Sequence, residues 1–252
     1  MERLMNYLSH HDKNFAQMME QCSFFTQESF HRFIKHLERF LQSRPVRSIR
    51  DSEQASLQSI VELFWHEGGR SVPEMCLLAD PGKPKGLGRF RFVDIFMPPT
   101  ARMPSNRMAV IELKSVSLRA LWKGTRFDKA DEPSYQDLSD FRKVIQEESE
   151  TDLLKRQYCY WVNEQRSWCV QDVEKVKSDA CLRLDEYIDL IENGDAERSG
   201  GSGIGILDGR VRCMKGKSYL DGYIVLSIGD TRVLGWFIST RDALYMYEKL
   251  DT

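Results

Sequence analysis

Residues 107–115 read Arg-Met-Ala-Val-Ile-Glu-Leu-Lys-Ser, and residues 89–97 read Arg-Phe-Arg-Phe-Val-Asp-Ile-Phe-Met. Each is a short apolar run bounded by chain breakers, the pattern of a buried strand. Pro98-Pro99 to Ser105-Asn106 separates the two, and Asp80-Pro81-Gly82-Lys83-Pro84 separates the earlier run from a third strand candidate, 74–79. Side chains alternate between the faces of a strand, so Glu112 and Lys114 share one face while Ile111 and Leu113 take the other. Asp94 lies on the preceding strand. If the two strands are neighbours, its carboxylate approaches that of Glu112.

Helical spacing surrounds this strand block. Upstream, residues 1–44 read as helical, with Phe30, Phe33, Ile34, Leu37 and Leu41 on one stripe behind a Thr26 cap and a stop at Arg44-Pro45. A second helix opens near Asp51-Ser52, carries Leu57, Ile60, Val61 and Phe64, and stops at Gly68-Gly69. Downstream, helices are expected over 134–148, 152–164 and about 170–192. Residues 193–203 form a polar, Gly-rich loop. Strands at 222–228 and 232–239 flank a tight Gly229-Asp230 turn, and a short helix from Thr240 ends the chain. This order predicts an α/β (α+β) chain with a mixed central sheet flanked by helices. Residues 1–48 form an N-terminal helical extension and 49–252 the main domain.

Composition narrows the class. The 252 residues are 41% hydrophobic and 29% charged, with net charge −2, ordinary values for a chain that buries a core. The sequence contains no run of about 18 apolar residues, the length needed to span a membrane as a helix. The opening MERLMNYLSHHDKNF lacks the apolar stretch of a signal peptide, so an intracellular location, cytoplasm or nucleus, is expected. The six Cys form no Cys-x-x-Cys pair, which points to free thiols rather than structural zinc. The five His show no ligand spacing. Gly200-Gly201-Ser202-Gly203-Ile204-Gly205 lacks the Gly-Lys-Ser/Thr of a phosphate loop and reads as a linker. Trp122, Tyr158, Tyr160, Trp161 and Trp168 can stack on bases, but at this spacing they read first as core.

Charge is uneven along the chain. From Pro81 to Arg126 there are ten Lys/Arg against two acids, Asp94 and Glu112; residues 127–152 then hold nine acids. A basic segment of this kind can neutralise phosphates, with Lys83, Lys85, Arg102 and Arg107 as contacts. Charge alone favours the plainer reading, a solvated face balanced by the acids that follow.

Two carboxylates brought together repel, and their pKa values rise unless a cation separates them. A hard divalent ion such as Mg²⁺ (or Mn²⁺) takes oxygen ligands, touches phosphate oxygens and acidifies bound water. Asp94, Glu112 and Lys114 therefore suit metal-assisted phosphodiester hydrolysis. Thirty-eight acids and fourteen Lys in this length predict about two chance occurrences of an acid followed two residues later by Lys; Glu112 is the one present. The tripeptide carries weight only through its strand context.

In these residues, Asp94 followed after seventeen positions by Glu112-Leu113-Lys114, the chain resembles the PD-(D/E)XK nuclease superfamily. It is most similar to a fungal branch sharing an ELK-x-x-x-L-x-x-L-W-[KR]-G run (residues 112–124), a segment like 154–161, and the ILDGR and IGDTRVL segments (206–210 and 228–234). The resemblance spans roughly residues 50–240. It implies a restriction-endonuclease-like αβββαβ core and a metal-dependent nuclease acting on DNA, less readily RNA. Asp94, Glu112 and the Leu113 carbonyl would be metal ligands, and Lys114 would serve the hydrolytic water. The position before Asp94 is Val93, where the superfamily name has Pro. Where many members have Gln-x-x-x-Tyr on the second core helix, this chain has Arg183 and Tyr187, both nucleic-acid-contact candidates. Members often add an acid from the first core helix. Glu53 fits that place on the apolar stripe, or it simply occupies the first helical turn, where acids suit the dipole. A second functional reading keeps the fold without catalysis, as a module binding nucleic acid or a protein partner, such as an intracellular effector. Residues 1–48 are a candidate partner surface.

Overall fold

The computed structural model describes residues 27–42, 54–65, 71–99, 106–124, 132–192, 194–196 and 203–250. The run that sets the fold is strand β3, Arg107–Val116, which follows β1, Val72–Leu78, and β2, Phe90–Met97. Strands β6, Gly205–Ile206, β7, Val211–Ile228, and β8, Arg232–Lys249, complete a six-stranded mixed sheet in the order β6-β1-β2-β3-β7-β8. The β3–β7 pairing is parallel and the other neighbours are antiparallel. A separate hairpin joins β4, Gln157–Val162, to β5, Ser167–Asp172.

Helices cover both faces of the sheet. On one lie α1, Gln27–Leu41, and α2, Gln54–Trp65. Their Phe30, Phe33, Ile34, Leu37 and Leu57 pack on Ile95, Ile111, Leu113, Tyr223 and Val225. The described part of the N-terminal extension thus buries its apolar stripe on this sheet. On the other face the twenty-residue α6, Val173–Glu192, lays Ala180, Leu184, Tyr187, Ile188 and Ile191 over Val93, Phe96, Met108, Val110 and Ile224. Three shorter helices, α3, Leu118–Gly124, α4, Tyr135–Glu147, and α5, Glu150–Leu154, close a third apolar cluster beyond the end of β3. The expected α/β (α+β) class, a mixed sheet flanked by helices, is what forms. Among the described residues no helix is long and apolar enough to cross a membrane.

Several local expectations need correction. Helix 152–164 is instead the short α5 followed by β4, because Tyr158, Cys159, Tyr160, Trp161 and Val162 are aromatic or strand-favouring and pair across a polar turn at 163–166. The helix from Thr240 is a continuation of β8: Ala243 and Tyr247 are buried two residues either side of Tyr245, a period of two. Strand β7 begins at Val211, eleven residues before expected, and α3 is an element beyond those expected. Trp161 and Trp168, read as core, are 46% and 52% exposed, whereas Trp122 is buried. The Thr26 cap, residues 1–26 and Phe64's side chain lie outside what is described.

Candidate active site

The strand carrying Asp94 breaks its own regularity at that residue. Val72 and its partner Phe96 pack against α6, and so do Met75 and its partner Val93. Residues three apart on an unbroken strand face opposite ways, so β1 and β2 both turn over between these pairs, at Glu74 and Asp94. Glu74 takes φ 49°, a left-handed conformation costing a non-glycine residue on the order of 1 kcal/mol. The β2–β3 ladder is accordingly confined to Ile95–Met97 opposite Ala109–Ile111.

Beyond that point the strands splay and side chains take over the backbone's hydrogen bonds. The Leu113 N–H donates to Asp94 Oδ2 at 2.6 Å. The Asp94 carbonyl accepts from Gln58 Nε2 of α2 at 3.3 Å. β3 itself stays regular, because it remains paired with β7 from Arg107 to Val116.

Glu112 projects from β3 toward α6 and is 1% exposed. Its Oε1 accepts from the Lys114 ammonium and lies 4.0 Å from Arg183 Nη1, while its Oε2 is buried with no hydrogen-bond partner. Lys114 Nζ also donates to the Leu113 carbonyl at 3.1 Å. Burial above all, then the neighbouring Asp94 charge, raises the Glu112 pKa to about 7 against the opposing pull of Lys114 and Arg183. The buried Tyr187 phenol is pushed well up by desolvation and by the same two carboxylates. Solvent reaches the group from the Arg183 side: that side chain is 60% exposed, Lys114 is 14%.

Helix α6 reaches this depth because of Gly222 on β7. A Cβ there would stand 3.0 Å from both Leu184 and Ile188, closer than ordinary packing. Arg91 Nε bonds Glu186 at 2.9 Å and ties the splayed part of β2 to the same helix. Gln58, Gly222 and Arg91 are site residues that sequence reasoning missed. A glycine inside a strand was the one visible signal.

The remaining candidates separate. Asp94, Glu112, Leu113, Lys114, Arg183 and Tyr187 come together. Lys83 and Lys85 sit apart in the β1–β2 connection, Lys83 paired with Asp80 at 3.4 Å and half-exposed. Arg107 is engaged elsewhere. Its guanidinium grips the fully buried Asp221 at 2.6 and 2.8 Å and also donates to Thr240, away from the carboxylate group. Glu53 and Arg102 lie outside the described residues.

The donor set fits a hard divalent cation: two carboxylates, a main-chain carbonyl, and one buried carboxylate oxygen without a partner. Among the described residues no cluster of three His, Cys, Asp or Glu is present, so an ion held here would lean on carbonyl and water for its other ligands. No family model, no curated protein and no solved structure matches the chain.

Proposed function

We propose that the protein is a divalent-metal-dependent nuclease of the PD-(D/E)XK kind, hydrolysing phosphodiester bonds of DNA and less readily RNA. The observation that carries this is the splay of β2 from β3, where Asp94, Glu112 and Lys114 meet around an unpartnered buried oxygen. The finer fold reading, a restriction-endonuclease-like core, is supported by the order α2-β1-β2-β3-α6-β7 and by the neighbour order β1-β2-β3-β7 with β7 parallel to β3.

Asp94, Glu112 and the Leu113 carbonyl would hold Mg²⁺ or Mn²⁺, which when bound neutralises phosphate charge and acidifies water. Asp94 fixes the Leu113 peptide and so aims its carbonyl. Lys114, between the Glu112 carboxylate and that carbonyl, orients the attacking water and meets negative charge growing on the phosphate oxygens. Water adds to phosphorus, the P–O ester bond breaks, and the products are a phosphate monoester and a hydroxyl. Arg183, the most exposed member, binds a phosphate at the mouth; a guanidinium there brings charge and a planar fork.

The test is cleavage of plasmid, single-stranded DNA and RNA with and without chelator. Wild type is expected to cleave only with the divalent ion, and Asp94→Ala, Glu112→Ala and Lys114→Ala are each expected to lose cleavage while keeping the fold. Equal background cleavage by wild type and Lys114→Ala would overturn the reading.

The second reading, a module that binds without cutting, is favoured by one feature. Two cations, Lys114 and Arg183, gather on a single oxygen of Glu112 and offset its charge from within the chain. It predicts no rise in melting temperature on adding Mg²⁺ or Mn²⁺, whereas a nuclease site should be stabilised by the ion.

A further inference from the structure

The site does not use the β4–β5 hairpin, and the hairpin presents the most conspicuous aromatic surface among the described residues. Trp161 and Trp168 are directly opposed across it, with ring centroids 5.6 Å apart and planes at 72°. They stay 46% and 52% exposed even though each has the other to cover one edge. Exposed paired indoles are costly to leave wet and mark a binding surface.

Two placements say what covers them. First, the hairpin is docked onto α3, the helix that starts two residues after β3 ends. A Cβ on Gly124, the last residue of α3, would be driven into the main chain of Gln157 and Tyr158, so helix and strand meet backbone to backbone. The base of the hairpin therefore lies against the helix that leaves β3 at its C-terminal end, the end at which β2 has splayed and Lys114 lies. Second, the helix brings positive charge to the rings. Lys123 Nζ sits 5.4 Å from the Trp168 ring centroid, sharing its ammonium with Glu132, and Arg119 on the same helix is exposed.

We propose that Trp161 and Trp168 form a base-stacking platform that holds unpaired nucleotides of a strand running to the phosphodiester site, which makes the substrate single-stranded or locally opened nucleic acid. Unpaired bases offer flat apolar faces to indole, and the adjoining phosphates meet Lys123 and Arg119. A duplex keeps its bases stacked on one another and cannot use the rings. The proposal rests on the nuclease reading of Asp94, Glu112 and Lys114, and adds the strand state of the substrate.

The experiment is equilibrium binding by fluorescence polarisation, in chelator so that nothing is cut, using the whole chain and labelled oligo(dT) of about 12 nucleotides, within the usual span of such sites. A duplex of equal length is the comparison. Wild type is expected to prefer the single strand. Trp168→Ala and Trp161→Ala should each weaken that binding about ten-fold or more, with duplex binding unchanged, while Trp168→Phe retains most of it. In parallel, ultraviolet cross-linking of the unsubstituted chain to the same oligonucleotide should map to the peptide holding Trp161 and Trp168. This arm does not depend on any variant folding. Unchanged affinity in both alanine variants, cross-links confined elsewhere, or equal affinity for duplex would overturn the platform. If the platform behaves as expected but wild type with Mg²⁺ or Mn²⁺ cuts nothing, the nuclease reading fails alone, and the surface stands as a single-strand binder. A chain that binds neither oligonucleotide refutes the platform whatever its activity on plasmid.

Discussion

Glu112 sets the energetic character of the site. A carboxylate ordinarily titrates near 4.5, and burial beside Asp94 raises this one to about 7. The folded chain therefore keeps the Glu112 proton to higher pH than the unfolded chain does. The stability this proton confers is complete below about pH 4.5 and is lost as pH climbs to about 7, a span of about 3 kcal/mol. Glu112→Gln keeps the shape, removes the charge and should abolish that slope. Urea midpoints in chelator are expected to show the variant more stable than wild type at pH 8 and close to it at pH 5. Parallel slopes for the two proteins would mean that Glu112 is not the group responsible. A divalent ion should flatten the wild-type slope, because it favours the charged form. Arg107 supplies a contrasting case. Its partner Asp221 is fully buried, so Arg107→Ala strands a charge and should cost about 3–5 kcal/mol, most of it recovered by adding Asp221→Asn. If denaturation shows Arg107→Ala near neutral, the ion pair between β3 and β7 does not contribute to stability in this way.

At the scale of elements, close approach of backbones determines what can be changed. Gly124 lets α3 touch β4, and the atoms in the way of a Cβ are main chain, which cannot rotate aside. Gly235 lets α1 sit on β8, and there the obstruction is the side chain of Ile34. Both alanine substitutions overpack, at a cost of about 1–3 kcal/mol or more. Gly235→Ala is expected to be relieved by Ile34→Ala, while Gly124→Ala should be the more damaging of the two and should speed amide exchange across β4 and β5. Equal thermal shifts for the two glycine variants, with no rescue by Ile34→Ala, would contradict this. These contacts also explain what is legible in the chain and what is not. β3 is legible because it is an unbroken apolar run between chain breakers, buried continuously from Met108 to Leu113, and α6 because its burial repeats every three to four residues along its length. β4 reads as helix because its run is short and aromatic, a pattern that period alone does not assign. The pairing of Glu112 with Lys114 follows from alternation, and the nearness of Asp94 from strand adjacency. The reversal at Glu74, the Gln58 bond to the Asp94 carbonyl and the seating of α6 on Gly222 are tertiary, and leave no local pattern to read.

Over the whole molecule, a net charge of −2 gives no general attraction to nucleic acid, so any binding must come from how the charge is distributed. Among the described acids of 132–152, several are engaged within the same stretch or just beyond it: Asp140 with Lys143, Asp152 with Lys155, Glu148 with Arg156. The β1–β2 connection carries Lys83 and Lys85 past the splayed end of β2, with the Lys83–Asp80 pair as the nearby counter-charge. A half-exposed pair of this kind is worth little, so Lys83 can exchange Asp80 for a phosphate at small cost. Each phosphate neutralised adds about 0.9 to the slope of log affinity against log salt on duplex DNA and about 0.7 on a single strand. A Lys83→Ala/Lys85→Ala variant is therefore expected to bind DNA more weakly at low salt and to lose about 1–2 units of that slope, with its melting temperature unchanged because both side chains stand at the surface. Arg183→Gln should lose about one unit more, since its guanidinium reaches solvent from the edge of the site. The measurement is binding in chelator between about 50 and 200 mM salt. A slope that stays at its wild-type value in the double-lysine variant would remove the β1–β2 connection from the nucleic-acid path and leave the approach to the site to α3, Arg183 and the β4–β5 hairpin.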